Sequence, residues 1–297
     1  MTTDPKDGFL LGCHLSIAKG FPHAIDEAEE LGNTALQFFT HSPAVWRMKE
    51  ITEESAASFR DRRAGSAVAY LAVHTMYLLN LASPDEVLHE RSVSGLIEEV
   101  RRAGLLGADA LVTHLGAHVG SGRDKGIARI VGALDRLVAS RTWAKASDVR
   151  LLLENTAGSG TTVGSSFEEI ASIIEGVSDA TRFGVCLDTC HAFAAGYDLR
   201  TREALDETLG RFDRTVGPGR LGMIHLNDSR FALGSRRDRH AHIGRGEIGE
   251  TGIGAVIRHP HLRDLPFLLE TPKVIDGRPD ADPLNLAVVR RLRQAPE

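Results

Sequence analysis

A closed (β/α)8 barrel in a single domain is the fold class this sequence predicts, on three observations. A short apolar run, a few loop residues and an amphipathic stretch of helical period follow one another eight times along the chain. The 297 residues suit one such barrel, and no Pro/Ser-rich linker or change of composition divides them. The apolar runs are short and continuous, as parallel strands covered on both faces must be. Taken in order they are residues 9–15, 35–39, 67–73, 110–113, 149–153, 183–187, 221–226 and 266–269. The segments between them read as helices packed on a sheet. Residues 86–105 are the clearest, with Val87, Leu88, Val93, Leu96, Ile97 and Val100 recurring at helical spacing. Ser83-Pro84 and Ser166 are candidate helix starts, and Glu169 completes a capping-box pattern with Ser166. An open doubly wound sheet would accommodate fewer strand–helix units, so the barrel is preferred. Residues 1–8 are expected to form a flexible tail and residues 9–297 the barrel.

The hydrophobic share of 42% builds a sizeable core and excludes a disordered or fibrous chain. No apolar run approaches the roughly 20 residues needed to cross a bilayer. The segment from Met1 to Lys6 lacks the charged and apolar blocks of a secretory signal, so a soluble cytoplasmic protein is expected. Cys13, Cys186 and Cys190 are too few and too unevenly placed for a disulfide framework and read as small core residues. With 35 Lys+Arg against 40 Asp+Glu the net charge is −5, so no global positive field draws nucleic acid and any such contact must be local. Arg230, Arg236, Arg237, Arg239 and Arg245 crowd into one short stretch.

In a (β/α)8 barrel the chemistry belongs at the C-terminal ends of the strands. Here six successive strand ends carry a side chain able to bind metal: His74, His114, Glu154, Asp188 with His191, His225 and Glu270. A lone histidine at a strand end is more often a hydrogen-bonded core residue than a ligand. Six coincidences in one ring are not explained that way. Carboxylates converging on one small mouth repel one another, whereas divalent cations hold them ionised and satisfy the imidazoles too. Imidazole and carboxylate donors without thiolate suit zinc, manganese or iron, with zinc first.

Residues 228–249 form a connection too long to be structureless in a compact domain. It holds Asp238 and His240, which together with His191 make a further set of three donors and leave an open position. Nine donors are too many for one zinc. His14, His41, His118 and His242 also lie near strand ends or functional loops and read as supporting or phosphate-contacting residues, not ligands. The glycine-rich stretch from Ala157 to Gly164 lacks the lysine of a phosphate-binding loop and reads as a flexible connection.

The stretch VCLDTCHAFAAGYD, residues 185–198, resembles the central signature of the endonuclease IV family of apurinic/apyrimidinic endonucleases. LENTAG at 153–158, HLND at 225–228, GSRRDRH at 234–240 and LET at 269–271 are similar to further segments of that family, in the same order. The resemblance implies a trinuclear zinc enzyme that cuts double-stranded DNA on the 5′ side of an abasic site, leaving a 3′-hydroxyl and a 5′-deoxyribose phosphate. It implies that His74, His114 and Glu154 hold one zinc, that Glu154, Asp188, His225 and Glu270 hold a second, and that His191, Asp238 and His240 hold a third. Glu154 and Glu270 then carry the catalytic role, Glu270 by orienting the attacking water. Tyr77, Arg230, Arg236 and Arg239 become expected DNA contacts, and the enzyme is expected to act as a monomer without membrane association.

Two positions depart from the family pattern. Ala44 stands where many relatives carry an arginine that enters the DNA stack, with Arg47 as the nearest substitute, and Met76 replaces a small polar residue before Tyr77. Two other readings compete. A metal-dependent sugar isomerase or epimerase on a related barrel explains the strand-end acids but not the set His191, Asp238 and His240. A DNA-lesion-binding protein that cuts slowly accommodates the missing arginine.

Overall fold

The computed structural model describes residues 8–295; residues 1–7 of the expected tail lie outside the described residues. Eight parallel strands close into a barrel in the order β1 (Leu11–His14), β2 (Ala35–Phe39), β3 (Tyr70–His74), β4 (Ala110–Thr113), β5 (Arg150–Glu154), β6 (Phe183–Asp188), β7 (Leu221–His225) and β10 (Phe267–Leu269), which pairs back onto β1. The two remaining strands, β8 (Asp228–Ser229) and β9 (His240–Ala241), form an antiparallel ribbon above β7. All eight expected barrel strands are present. Their ends are shifted: pairing runs one residue further at β3, β5 and β6, so that His74, Glu154 and Asp188 are last in their strands, and β7 ends on His225.

Helices cover the outside: α1 (Phe21–Glu30), α2 (Glu53–Ala64), α3 (Glu86–Leu105), α4 (Arg123–Val138), α5 (Arg141–Lys145), α6 (Phe167–Gly176), α7 (Thr189–Ala195), α8 (Arg202–Thr215), α9 (Gly249–Arg258) and α10 (Ala281–Gln294). Each longer helix buries one stripe. In α6 that stripe is Ile170, Ile173 and Ile174, and in α3 it includes Val93, Leu96 and Val100, whereas Val87 is exposed. Each fully buried aliphatic side chain of this size contributes about 2 kcal/mol. Ser166 and Glu169 form the expected capping box. The other expected start moves: Asp85, not Ser83, caps α3, its carboxylate accepting from Leu88 N at 2.8 Å, while Ser83 Oγ accepts from Asp85 N just before it. A charged acceptor is the better partner for the positive end of a helix.

The barrel interior is filled by Ala35, Ala72, Ala110, Val112, Leu152, Cys186, Met223 and Leu268, small and large residues interleaved. The strand ends above this plug converge on one mouth. Gly12 lets β1 and β2 close: a Cβ there would lie 1.7 Å from Ala35 O.

Candidate metal centre

Register delivers the polar residues to the same level. Phe39 stands beside His74, Glu154 beside Cys186, and Asp188 beside His225. His114 follows β4 and Glu270 follows β10 directly. Asp188 also caps α7, its Oδ1 accepting from His191 N at 2.7 Å, which brings the His191 ring over the mouth and leaves Oδ2 facing the site. Asp238 and His240 arrive from the β8–β9 ribbon, with His240 paired opposite Ser229.

Glu154, fully buried, stands at the centre. Its Oε2 lies 3.1 Å from His74 Nε2 and 3.5 Å from His114 Nε2; its Oε1 lies 3.1 Å from His225 Nδ1 and 3.3 Å from His191 Nδ1. His225 Nδ1 is 3.4 Å from Glu270 Oε2, His191 Nε2 is 3.2 Å from Asp238 Oδ2, and His240 Nε2 is 3.5 Å from Asp188 Oδ2. Among the described residues four groups have donor atoms within 4.8 Å of one another: His74, His114 and Glu154; Glu154, Asp188, His225 and Glu270; His191, Asp238 and His240; and, overlapping these, Asp188, Cys190 and His240. The nine residues singled out in the sequence thus come together in three sets.

The histidines are oriented as ligands are. A carbonyl oxygen can only accept, so the ring nitrogen facing it carries the proton and the other nitrogen offers its lone pair. His74 Nδ1 donates to Thr75 O at 2.7 Å, His240 Nδ1 to Glu270 O at 3.0 Å, and His191 Nδ1 to Asn155 O at 3.0 Å. His225 Nε2 donates to Gln37 Oε1 at 2.9 Å. In each case the free nitrogen of the ring serves the cluster, and His240 Nε2 is buried with no hydrogen-bond partner. A cation is the fitting partner for that atom and for the crowded carboxylates. This donor set fits a divalent metal.

Without ions, protons hold the cluster together. Burial disfavours the ionised Glu154 carboxyl, yet the charges of His114 and His225 and hydrogen bonds from His191 and His225 hold it well below the usual carboxylate range. Burial also opposes protonation of His225 and His191, and the surrounding acids overcome it, raising both well above the ordinary imidazole value.

Sequence reasoning missed the residues that orient the ligands. Gln37 Nε2 donates to Glu270 Oε1 at 2.7 Å and contacts His14 Nδ1 at 2.9 Å, while its Oε1 holds His225. Asn227 Nδ2 donates to Asp188 Oδ2 at 2.7 Å, and its Oδ1 accepts from Glu270 N. Asn155 is bonded to the Asp188 backbone on both sides of its amide. The available signal was polarity in the wrong place: Gln37 interrupts an otherwise apolar strand. Of the four supporting histidines expected, only His14 reaches the site. His118 and His242 close loops, through Gly122 N and Val274 O, because neither lies on a strand end, and His41 lies against Glu99. Cys190 Sγ comes close to Asp188 and His240, lies near enough to Arg239 O to donate to it, and burial pushes its thiol up to about 12. The glycine-rich stretch is no free connection: Val163 N donates to Gly116 O, and His118 N to Thr161 O.

A cavity of about 340 Å³ opens above the cluster, lined by Tyr77, His114, His191, Asp238, Arg239, His240, Glu270 and Pro272. Tyr77 is 61% exposed at its rim. Of the expected cationic contacts Arg239 lines this cavity, and Arg230 and Arg236 lie exposed outside it. Arg237 stacks on Phe231 at 3.6 Å, and Arg245 is paired with Asp276 at 2.9 Å. Among the described residues no helix is long and apolar enough to cross a membrane.

Residues 25–292 match the family model described as a xylose isomerase-like TIM barrel. A curated relative, "Probable endonuclease 4" of Halothermothrix orenii, is 46% identical over 93% of this chain and 98% of its own length. The crystal structure of endonuclease IV from Thermus thermophilus superposes with a TM-score of 0.82 at 42% identity, covering 95% of this chain and 98% of that one. A D-tagatose 3-epimerase-like protein superposes at 0.71 with 16% identity, covering 96% of this chain and 98% of that one, a likeness of fold alone.

Proposed function

This chain belongs to the endonuclease IV family and is a nuclease of the hydrolase class, and on that premise we propose a narrower reading. It is a zinc-dependent phosphodiesterase of DNA repair that cuts duplex DNA 5′ to an abasic site, leaving a 3′-hydroxyl and a 5′-deoxyribose phosphate. It acts as a cytoplasmic monomer with three zinc ions. The observation that carries the reading is the convergence of nine donors in three sets, two of them sharing Glu154. The extra set His191, Asp238 and His240 is what a one-metal sugar isomerase has no use for.

His74, His114 and Glu154 would hold one ion, Glu154 with Asp188, His225 and Glu270 a second, and His191, Asp238 and His240 a third. Zinc supplies Lewis-acid charge that offsets the charge gathering on phosphate oxygens and favours ionisation of water near neutral pH. The chain supplies the rest. Gln37 and the Asn227 amide oxygen fix the two ends of Glu270, so this carboxylate is oriented to accept a proton from the attacking water. Arg239 lines the cavity, and Arg230 and Arg236 are exposed in the same connection, local cations that would suit a sugar–phosphate backbone on a protein of net negative charge. The cavity takes an extruded sugar phosphate, and extrusion costs least where no base is stacked.

The test uses protein never exposed to chelator and a duplex with one tetrahydrofuran residue. Elemental analysis should give about three zincs per chain, and scission should vanish on chelation and return with zinc. Tight binding with no metal-dependent nick would leave a lesion-binding protein instead, and a single manganese or magnesium would favour the isomerase.

A further inference from the structure

One face of α3 lies under two loops that flank the mouth, residues 40–49 after β2 and residues 75–80 after β3, and it is built for more than burial. Arg102, 1% exposed, sends Nε to Thr40 Oγ1 at 2.7 Å, one terminal nitrogen to Thr40 O at 2.7 Å and the other to Lys49 O at 2.8 Å. One guanidinium therefore ties both ends of the first loop. Thr40 Oγ1 in turn donates to Glu99 Oε2 at 2.9 Å, and Glu99 Oε1 accepts from Met76 N at 3.3 Å in the second loop. The loops are also joined directly, Tyr77 N donating to Pro43 O at 3.2 Å. Further along the same helical face, Ser92 Oγ accepts from Asn80 N, Arg91 lies over the Trp46 ring, and a Cβ at Gly95 would stand 2.8 Å from Leu79 and 3.6 Å from Trp46.

Burying an arginine and a glutamate carries a desolvation penalty, and an apolar pair of equal volume would stabilise a helix–barrel contact at least as well. A mid-helix glycine weakens the helix further. What these residues provide, and an apolar face would not, is a fixed geometry for backbone atoms in two separate loops. That geometry holds Tyr77, whose ring packs edge-on against Phe39 at 5.0 Å and lies 6.0 Å from the His74 ring. The Met76 departure noted in the sequence fits here: its side chain is buried towards α3, near Gly95, and its N–H is the one Glu99 takes.

We propose that Glu99 and Arg102 are positioning residues that lock loops 40–49 and 75–80 into one unit, hold Tyr77 over the metal-ligand cluster, and thereby set how tightly damaged DNA seats without touching the reacting atoms. The kinetic part of this inference rests on the function proposed above; the locking of the loops does not.

Hydrogen–deuterium exchange on the metal-loaded protein, with KM and kcat on the tetrahydrofuran duplex and metal content alongside, tests it. Glu99→Ala and Arg102→Lys should raise exchange in both loops together and raise KM about tenfold or more, with kcat within about twofold and full metal content. Glu99→Gln keeps an acceptor for Met76 N–H and a group to meet Thr40, so it should restore KM to within about threefold of the parent. Gly95→Ala displaces Leu79 without altering charge and should raise KM as well, which keeps the test open if the charge variants fail to fold. Exchange rising in one loop only, an unchanged KM, kcat falling instead of KM rising, or Gln behaving no better than Ala would each overturn the proposal. If the parent protein does not cut the duplex, the functional reading fails, and exchange alone still decides whether the two loops are locked as one.

Discussion

Glu154→Gln separates the chemistry of the site from its stability. Each oxygen of Glu154 faces two imidazoles, His74 and His114 on one side, His191 and His225 on the other, at 3.1–3.5 Å. Glutamine fills the same volume, keeps one oxygen, and turns an NH2 towards two of those rings, where imidazole lone pairs can accept from it. The fold should therefore lose little, about 1–2 kcal/mol. The metal centre loses much more, because an amide nitrogen does not ligate and the one carboxylate shared by two donor sets is gone. Removing a single oriented electrostatic partner from a reacting centre typically costs about 10²–10³ in rate, and here two sets are affected, so a fall of at least about 10³, or ~4 kcal/mol of barrier, is expected. Single-turnover scission of the tetrahydrofuran duplex with saturating enzyme measures the step, and elemental analysis of the same sample should show less metal per chain than the parent. A variant that keeps the parent's metal content and cuts within tenfold of the parent would refute the assignment of Glu154.

Other consequences follow from groups outside the donor sets. Burial pushes the Glu99 carboxyl up to about 7 although Thr40 and Arg102 oppose it, so the folded chain keeps a proton that the unfolded chain releases above its usual 4.5. That contribution is complete below about pH 4.5 and is lost as pH rises through about 7; relative to Glu99→Gln, the parent should lose up to ~3 kcal/mol over this window in denaturant titrations, and parallel curves would contradict it. Arg239→Ala should weaken binding of any duplex and lower the salt slope by about 1, whereas Arg245→Ala, already paired with Asp276, should do less; equal effects would remove Arg239 from the DNA path. Asp228 accepts from the backbone N–H groups of Ser229, Gly244, Gly246, Ile248 and Gly249, so Asp228→Asn, which sets an NH2 against at least two of them, should cost about 2–4 kcal/mol, and an unaltered melting temperature would argue against its anchoring role.

The barrel was legible because strands covered on both faces must be apolar throughout, and eight such runs leave little freedom in how they close. The ring of converging donor side chains was legible for the complementary reason: His74, Glu154, Asp188 and His225 are polar residues at the ends of apolar runs, where burial without a partner is costly. Their membership of the strands was hidden by the same polarity, since backbone pairing continues through residues whose side chains look like loop. Asn155 and Asn227 carried no comparable signal, and the polarity of Gln37 inside an apolar strand marked the residue without showing its partner. An amide that bonds a carboxylate 233 residues away, as Gln37 does with Glu270, is recognisable only once the barrel has closed. Clustering in sequence did not separate the arginines by surroundings: Arg237 stacks on Phe231 and Arg245 pairs with Asp276, while Arg239 lines the cavity.

A closed barrel offers a ring of strand ends, and that geometry explains why the third donor set needs a different origin. Once His74, Glu154, Asp188 and His225 occupy strand termini with His114 and Glu270 just beyond them, the remaining side chains must come from above the ring. The connection 228–249 meets that demand by folding back as the β8–β9 ribbon, its base held by the Asp228 carboxylate and its tip bringing Asp238 and His240 down onto His191. A ligand on a long loop is only as well placed as the loop's attachment. On this argument disturbing Asp228 should loosen the set His191, Asp238 and His240 before it affects the set His74, His114 and Glu154, so one metal should leave the Asp228→Asn protein during mild chelation ahead of the others. Simultaneous loss of all metals would mean that the barrel and its loop yield as one unit.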